Sequence, residues 1–127
     1  EAPAEPLGKP LLRCILELPR SELYRRCDAR FLDMLEAGAL DEVAALEALA
    51  LDLGLPAMKA LGVRPLARHR AGELTLDEAV ALTQRDTRRY AKRQLTWLRN
   101  QAADWPSITA QDSKRFFATN FPIIRQF

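Results

Sequence analysis

The stretch TRRYAKRQLTWLR, residues 87–99, places five cationic side chains and two large aromatic rings, Tyr90 and Trp97, in thirteen positions. Extending it back to Arg85 adds a sixth cation, and five of the six are arginines. A guanidinium is a planar fork that matches phosphate and carboxylate oxygens in pairs. Cations in such number suit an anionic partner. Arg85 to Arg99 holds one acid, Asp86, for a local balance of +5, while the other 112 residues carry 13 basic and 16 acidic side chains. The net charge of +2 therefore conceals one strongly basic segment in a mildly acidic chain.

Two readings of that segment stand side by side. Charge runs often form a solvated helix face. A merely solvated face, however, interleaves Glu with Lys or Arg, because like charges at i,i+4 repel by about 0.2–0.5 kcal/mol per pair. Here the acids are missing, and an anionic partner would offset the repulsion. Turning about 100° per residue from Arg85 gathers Arg88, Arg89, Lys92, Arg93, Thr96 and Arg99 on one side. Ala79, Thr83, Thr87, Tyr90, Gln94, Trp97 and Leu98 fall opposite. On this projection Tyr90 and Trp97 read as core rather than as stacking surfaces, since they share a face with Leu98. Gln94, Thr83 and Thr87 on that face need polar partners.

The elements that must position this segment are mostly helical. Thr75 with Glu78 three residues later is a capping box. No Pro or Gly interrupts 76–105, so the spacing predicts a helix from about Leu76 to about Ala102, ended by Trp105 and Pro106. Upstream, LLRCILEL (11–18) is a short apolar run between Pro10 and Pro19 that suits a strand, although periodicity alone does not separate it from helix. Ser21 is a candidate N-cap for a helix with Leu23, Cys27, Phe31, Met34 and Leu35 in phase, which Gly38 can end. A second helix fits 40–51, with Leu40, Val43, Leu46 and Ala50 inward. Pro56 suits the first turn of a short helix ending at Gly62, and Pro65 to Arg70 fits another turn. Residues 1–10 read as irregular, 11–105 as the structured part, and 106–127 as an apolar, aromatic tail that docks on something.

At 127 residues and 48% hydrophobic, the chain can bury one real core. No apolar run approaches the roughly 20 residues of a membrane span, and the N-terminus has no charged-then-apolar leader pattern, so a cytoplasmic location is expected. Cys14 and Cys27 lack metal-ligand spacing and read as buried free thiols in preference to a bridge. His69, the single histidine, reads as an exposed loop residue.

The basic segment resembles the signature helix of the tRNA dimethylallyltransferases, also called tRNA isopentenyltransferases. Their pattern is close to TR-x-x-AKRQ-x-TW-x-R, which Thr87, Arg88, Ala91, Lys92, Arg93, Gln94, Thr96, Trp97 and Arg99 fit. In the same order, LPRSELYRRCDARFLDMLEAGALDEV (18–43), LPAMKALGVR (55–64) and AGELTLDEAV (71–80) resemble further stretches of that family. The likeness covers about residues 11–105. It departs at Val63, where the family usually has Tyr, and at Pro65, where it usually has Gln.

The resemblance implies a fold that is mainly α with one or two strands, belonging in the complete protein to a P-loop type α/β core. It implies transfer of a dimethylallyl group from dimethylallyl diphosphate to the exocyclic amine of the adenosine 3′ to the anticodon. The partners would be the tRNA anticodon stem-loop and the diphosphate, with Mg2+ as cofactor. Lys59, Gly62, Arg64, Lys92, Arg93, Gln94, Thr96, Trp97 and Arg99 would line the tRNA and channel surface, and Arg88 and Arg93 would reach the diphosphate. The family's P-loop, G-x-x-x-x-G-K-[ST], does not occur in these 127 residues, and Asp112-Ser113 is the one Asp-Ser pair. The resemblance is thus to the C-terminal part, with no catalytic base or metal ligand assigned and no activity expected of this stretch alone. A strand at 11–18 without a sheet would favour self-association. Two other classes fit the basic helix without the resemblance: a freestanding helical RNA-binding module, and a structural interaction domain.

Overall fold

A computed structural model describes residues 13–109. The element order is β1 (Ile15–Glu17), α1 (Arg20–Glu36), α2 (Ala39–Ala48), a 3₁₀ turn (Ala57–Lys59), α3 (Val63–Arg70), α4 (Leu76–Gln101) and β2 (Ser107–Thr109). The fold is mainly helical with two short strands, as expected. It divides into two compact units: Pro19–Trp97, and the flanking segments up to Leu18 and from Leu98. The expectations for residues 1–10 and for the docking of the tail lie outside the described residues.

In the flanking unit β1 and β2 run parallel, with Ile15, Leu16 and Glu17 opposite Ser107, Ile108 and Thr109. The Ile15 N–H also donates to the Pro106 carbonyl at 2.9 Å. This corrects the expectation of a strand without a sheet: β1 has a partner, supplied by the chain just past the helix-ending Pro106. The Arg13 guanidinium lies 5.8 Å from the centre of the Trp105 ring.

In the unit Pro19–Trp97, the N-cap of α1 lies two residues before the expected one. Pro19 is the N-cap, at φ −51° and ψ 135°, and Ser21 makes no cap. The proline ring holds φ near its helical value, and the Pro19 carbonyl accepts the Leu23 N–H at 2.9 Å to close the first turn. Gly38 ends α1 and opens α2 in one step. Its φ of +102° is left-handed, a conformation costly for any residue with a Cβ. Leu40, Val43 and Leu46 turn inward from α2, but Ala50 does not. The helix ends at Ala48 with Leu49 as its C-cap, and Ala50 is exposed at φ +47°.

Phe31, Ala39, Val43, Leu66 and Ala79 form the core where the four helices meet, with Leu35, Leu40, Ala67 and Val80 packed around them. Met34, expected inward, is 42% exposed. Helix α3 starts at Val63, so Pro65 falls in its first turn, where a missing N–H costs nothing. That position explains how this chain accepts proline where the resembled pattern has glutamine. His69 is a residue of α3, not of a loop. It is half-buried, and its Nδ1–H donates to the Leu74 carbonyl at 3.0 Å. Both cysteines are free thiols, each only partly buried.

The long helix keeps its expected bounds. The Glu78 Oε2 accepts the Thr75 N–H at 2.7 Å and the Thr75 hydroxyl at 2.9 Å, while the Glu78 N–H donates to Thr75 Oγ1 at 3.2 Å. The capping box is complete, and the Thr75 N–H and hydroxyl hold the Glu78 carboxyl below its ordinary pKa.

Candidate nucleic-acid interface

Helix α4 is a 26-residue rod whose buried side decides what the other side shows. Ala79, Thr83 and Ala91 are buried, and Thr87 and Leu95 half-buried. These residues step by four. A row of i+4 neighbours is inclined to the helix axis, so the buried seam winds gradually round α4. The fixed-face projection missed this drift. It put Tyr90 and Trp97 inward, yet they are 48% and 59% exposed. Gln94, between them in the same stripe, is exposed too.

The buried threonines find their partners within the helix. Thr83 Oγ1 donates to the Ala79 carbonyl and Thr87 Oγ1 to the Thr83 carbonyl, both at 2.9 Å. The polar residues that seemed to require a ligand on the inner face are therefore satisfied by their own backbone.

The cations of α4 separate into two groups. Arg88 lies between helices: its Nη1 donates to both carboxylate oxygens of Asp28 on α1, at 2.8 and 2.7 Å. Gln84 Nε2 donates to the Asp28 carbonyl at 3.3 Å, a second tie at the same point. Arg85 and Arg89 approach Asp86 at 3.2 and 3.8 Å. Among the described residues Lys92, Arg93 and Arg99 pair with no carboxylate, and all three are exposed. The Arg93 guanidinium instead sits 5.7 Å from the centre of the Tyr90 ring. Thr96 is exposed and donates its hydroxyl to the Lys92 carbonyl at 3.0 Å.

The loop before α3 supplies two more unpaired cations. Lys59 ends the 3₁₀ turn and Arg64 stands in the first turn of α3, both exposed. Gly62 between them is buried at φ +95°. A Cβ there would meet the Phe31 ring at 3.2 Å and the Thr83 methyl at 3.4 Å. Backbone thus passes close against α1 and α4, where a Cβ would press on both. Arg64 also borders an open apolar cavity of about 460 Å³ that includes Leu51, Leu53, Met58 and Val63.

These side chains can hold phosphate by charge and flat groups by stacking. Among the described residues no three Asp, Glu, His or Cys side chains are grouped so as to hold a metal ion.

The sequence matches the family model for IPP transferase over residues 2–101. The chain belongs to the IPP transferase family. Within it, the chain is 59% identical over 97 residues to the tRNA dimethylallyltransferase of Phenylobacterium zucineum, covering 76% of this chain and 32% of that protein. It is 60% identical over 100 residues to the tRNA dimethylallyltransferase of Rhodospirillum centenum, covering 79% and 32% respectively. The crystal structure of the full-length tRNA isopentenylpyrophosphate transferase of Bacillus halodurans superposes with a TM-score of 0.76 at 31% identity, over 94% of this chain and 40% of that one. The corresponding enzyme from Staphylococcus epidermidis gives a TM-score of 0.78 at 26% identity, over 91% and 38%. This IPP transferase chain spans about a third of the length of the curated relatives it matches.

Sequence reasoning found the basic stretch, the loop cations and Gly62. It missed Asp28, the acid that engages Arg88, and it turned Tyr90 and Trp97 the wrong way. Counting the seam in steps of four from the capping box, rather than on a fixed face, would have set both rings outside.

Proposed function

We propose that this chain is the C-terminal part of a tRNA dimethylallyltransferase and supplies tRNA-contacting surface to it. The complete enzyme would transfer a dimethylallyl group from dimethylallyl diphosphate to the exocyclic amine of the adenosine 3′ to the anticodon. That amine is stacked within the loop, and the base must be flipped out to react. Arg13, Arg20 and Arg30 are also exposed without acid partners among the described residues, but the observation that carries the reading is the five such cations on α4, the 3₁₀ turn and the start of α3: Lys59, Arg64, Lys92, Arg93 and Arg99. Their charge suits RNA phosphates and the diphosphate on which negative charge grows as the allylic bond breaks. Gly62 holds the Lys59–Arg64 loop, and Gln94, Thr96 and Trp97 are exposed on α4 beside Lys92 and Arg93. Arg88 contributes differently, through Asp28, by fixing α4 on α1.

The 127 residues alone should transfer no labelled prenyl group to tRNA, since they contain no P-loop motif. Transfer above a no-protein control would refute this. They should still bind an anticodon stem-loop, with affinity falling as salt rises. In the complete enzyme Arg93→Ala or Arg99→Ala should cost about ten- to a hundredfold, whereas Arg20→Ala should do little, because one charge-assisted contact is worth about 1.5–3 kcal/mol. A loss in apparent affinity with a flatter salt slope assigns RNA backbone. A loss in rate at saturating tRNA assigns the leaving diphosphate. Both variants behaving as wild type would reduce the basic face to a solvated one and favour a structural interaction domain.

Self-association by strand exchange between copies is also proposed. A monomer in sedimentation velocity at tens of micromolar refutes it.

A further inference from the structure

Tyr90, Gln94 and Trp97 follow one another at i, i+4 and i+7 on α4, with Arg93 alongside. At about 100° and 1.5 Å per residue, the four share an arc of about 100°, and the two rings stand about 10 Å apart along the axis. A single exposed ring is ordinary. Two exposed rings in register, an amide between them with no hydrogen bond among the described residues, and a guanidinium over one ring form a more specific surface. Flat π faces stack on unpaired bases of any sequence, and cations beside them track the strand's phosphates. Charge argues for the same occupant. Residues 87–99 contain no acid, and Asp86, which adjoins them, already faces Arg85 and Arg89.

We propose that Tyr90 and Trp97 are stacking surfaces for unpaired bases of RNA, with Gln94 placed to hydrogen-bond a base edge and Arg93 to hold the adjoining phosphate. This rests on the reading that α4 meets RNA. It adds that the strand met there is single, and that rings carry part of the affinity. Tyr90 lies at a variable position of the resembled signature, so the pattern itself does not assign it a role.

The test uses the 127-residue chain with a short, unstructured oligoadenylate and a blunt RNA duplex. A Trp105→Phe background leaves Trp97 as the one tryptophan. Oligoadenylate should quench Trp97 emission, and the duplex at equal phosphate should quench it far less. Tyr90→Leu and Trp97→Leu should each weaken oligoadenylate binding at least fivefold, since stacking contributes about 1–3 kcal/mol per base. Their salt slope should be unchanged, because neither substitution alters charge. Tyr90→Phe and Trp97→Phe keep an aromatic plane and should retain most of the affinity. If both Phe variants lose binding as fully as the Leu variants, stacking is wrong. Salt-dependent binding that is equal for strand and duplex and indifferent to the rings leaves the phosphate reading standing and overturns this one. Ring substitutions that change only the chain's self-association assign the stripe to protein and overturn it too. A chain that binds neither RNA overturns both readings together.

Discussion

Replacing Gly62 by alanine tests how the loop between the 3₁₀ turn and α3 is held. The backbone at Gly62 has φ +95°. Placing a Cβ residue in left-handed territory costs about 1–2 kcal/mol. The new methyl would also stand 3.2 Å from Phe31 Cε2 and 3.4 Å from Thr83 Cγ2. Neither neighbour can swing into solvent, since Phe31 is 6% and Thr83 1% exposed. Overpacking of this kind costs about 1–3 kcal/mol. Alanine restricts the unfolded chain and returns about 0.4–1 kcal/mol. The net expectation is a loss of about 2–4 kcal/mol, or roughly 10–25 °C in Tm for a unit of this size. Thermal unfolding followed by circular dichroism at 222 nm measures it. Gly72→Ala is the control: its φ is +77°, but no atom lies within 4 Å of its Cβ position, so only the backbone cost applies. In a Phe31→Leu background, Gly62→Ala should cost at least about 1 kcal/mol less, because the contacting ring edge is gone. Equal melting points for Gly62→Ala and Gly72→Ala would refute the claim that packing, beyond φ, requires glycine here.

Three further expectations follow from the same unit. The Glu22 carboxylate accepts hydrogen bonds from Arg25 and from Arg26, and these hold its pKa down at about 2, the Arg25 bonds contributing most. A carboxylate with a depressed pKa contributes stability above its ordinary value of 4.5 and loses it as pH falls through 2, so Glu22→Gln should remove part of the acid dependence in that window. An NMR titration midpoint near 4.5 would contradict the pairing. Asp28→Asn, Arg88→Met and the double variant should give a coupling of about 1 kcal/mol, modest because both side chains are a third exposed; additive losses in urea would show that the pair is incidental. Ala50→Gly should stabilise by about 0.5 kcal/mol, because relief of the left-handed φ of +47° outweighs the added freedom of the unfolded chain, and a lowered denaturation midpoint would contradict it.

Much of the fold was legible because local chemistry and tertiary packing agree. The Thr75–Glu78 capping box placed the start of α4 to the residue, and the uninterrupted run after it placed the end within one. Failures came where a longer-range fact overrode a local rule. Ser21 is a good cap by type, but Pro19 already closes the turn of α1. Three residues of β2 are too few to show alternation, so the partner of β1 could not be read. The site was legible in composition and not in orientation. Which arginine is engaged depends on Asp28, sixty residues earlier in the chain. Which ring is exposed depends on a seam inclined to the helix axis.

The tie between Arg88 and Asp28 has a consequence for how this helix can vary. Thr87 and Arg88 face inward, and their neighbours are α1 and the helix's own backbone. Arg93, Gln94 and Trp97 face outward, and no other described element answers to them. One continuous motif therefore holds two separate obligations. A change at position 88 should be accompanied by a matching change at 28 more often than chance allows. Changes at 93, 94 and 97 should instead keep pace with the ligand and leave α1 untouched. The helix is a single rod in space, but its two halves have different correspondents, and substitutions accumulated over time should sort accordingly.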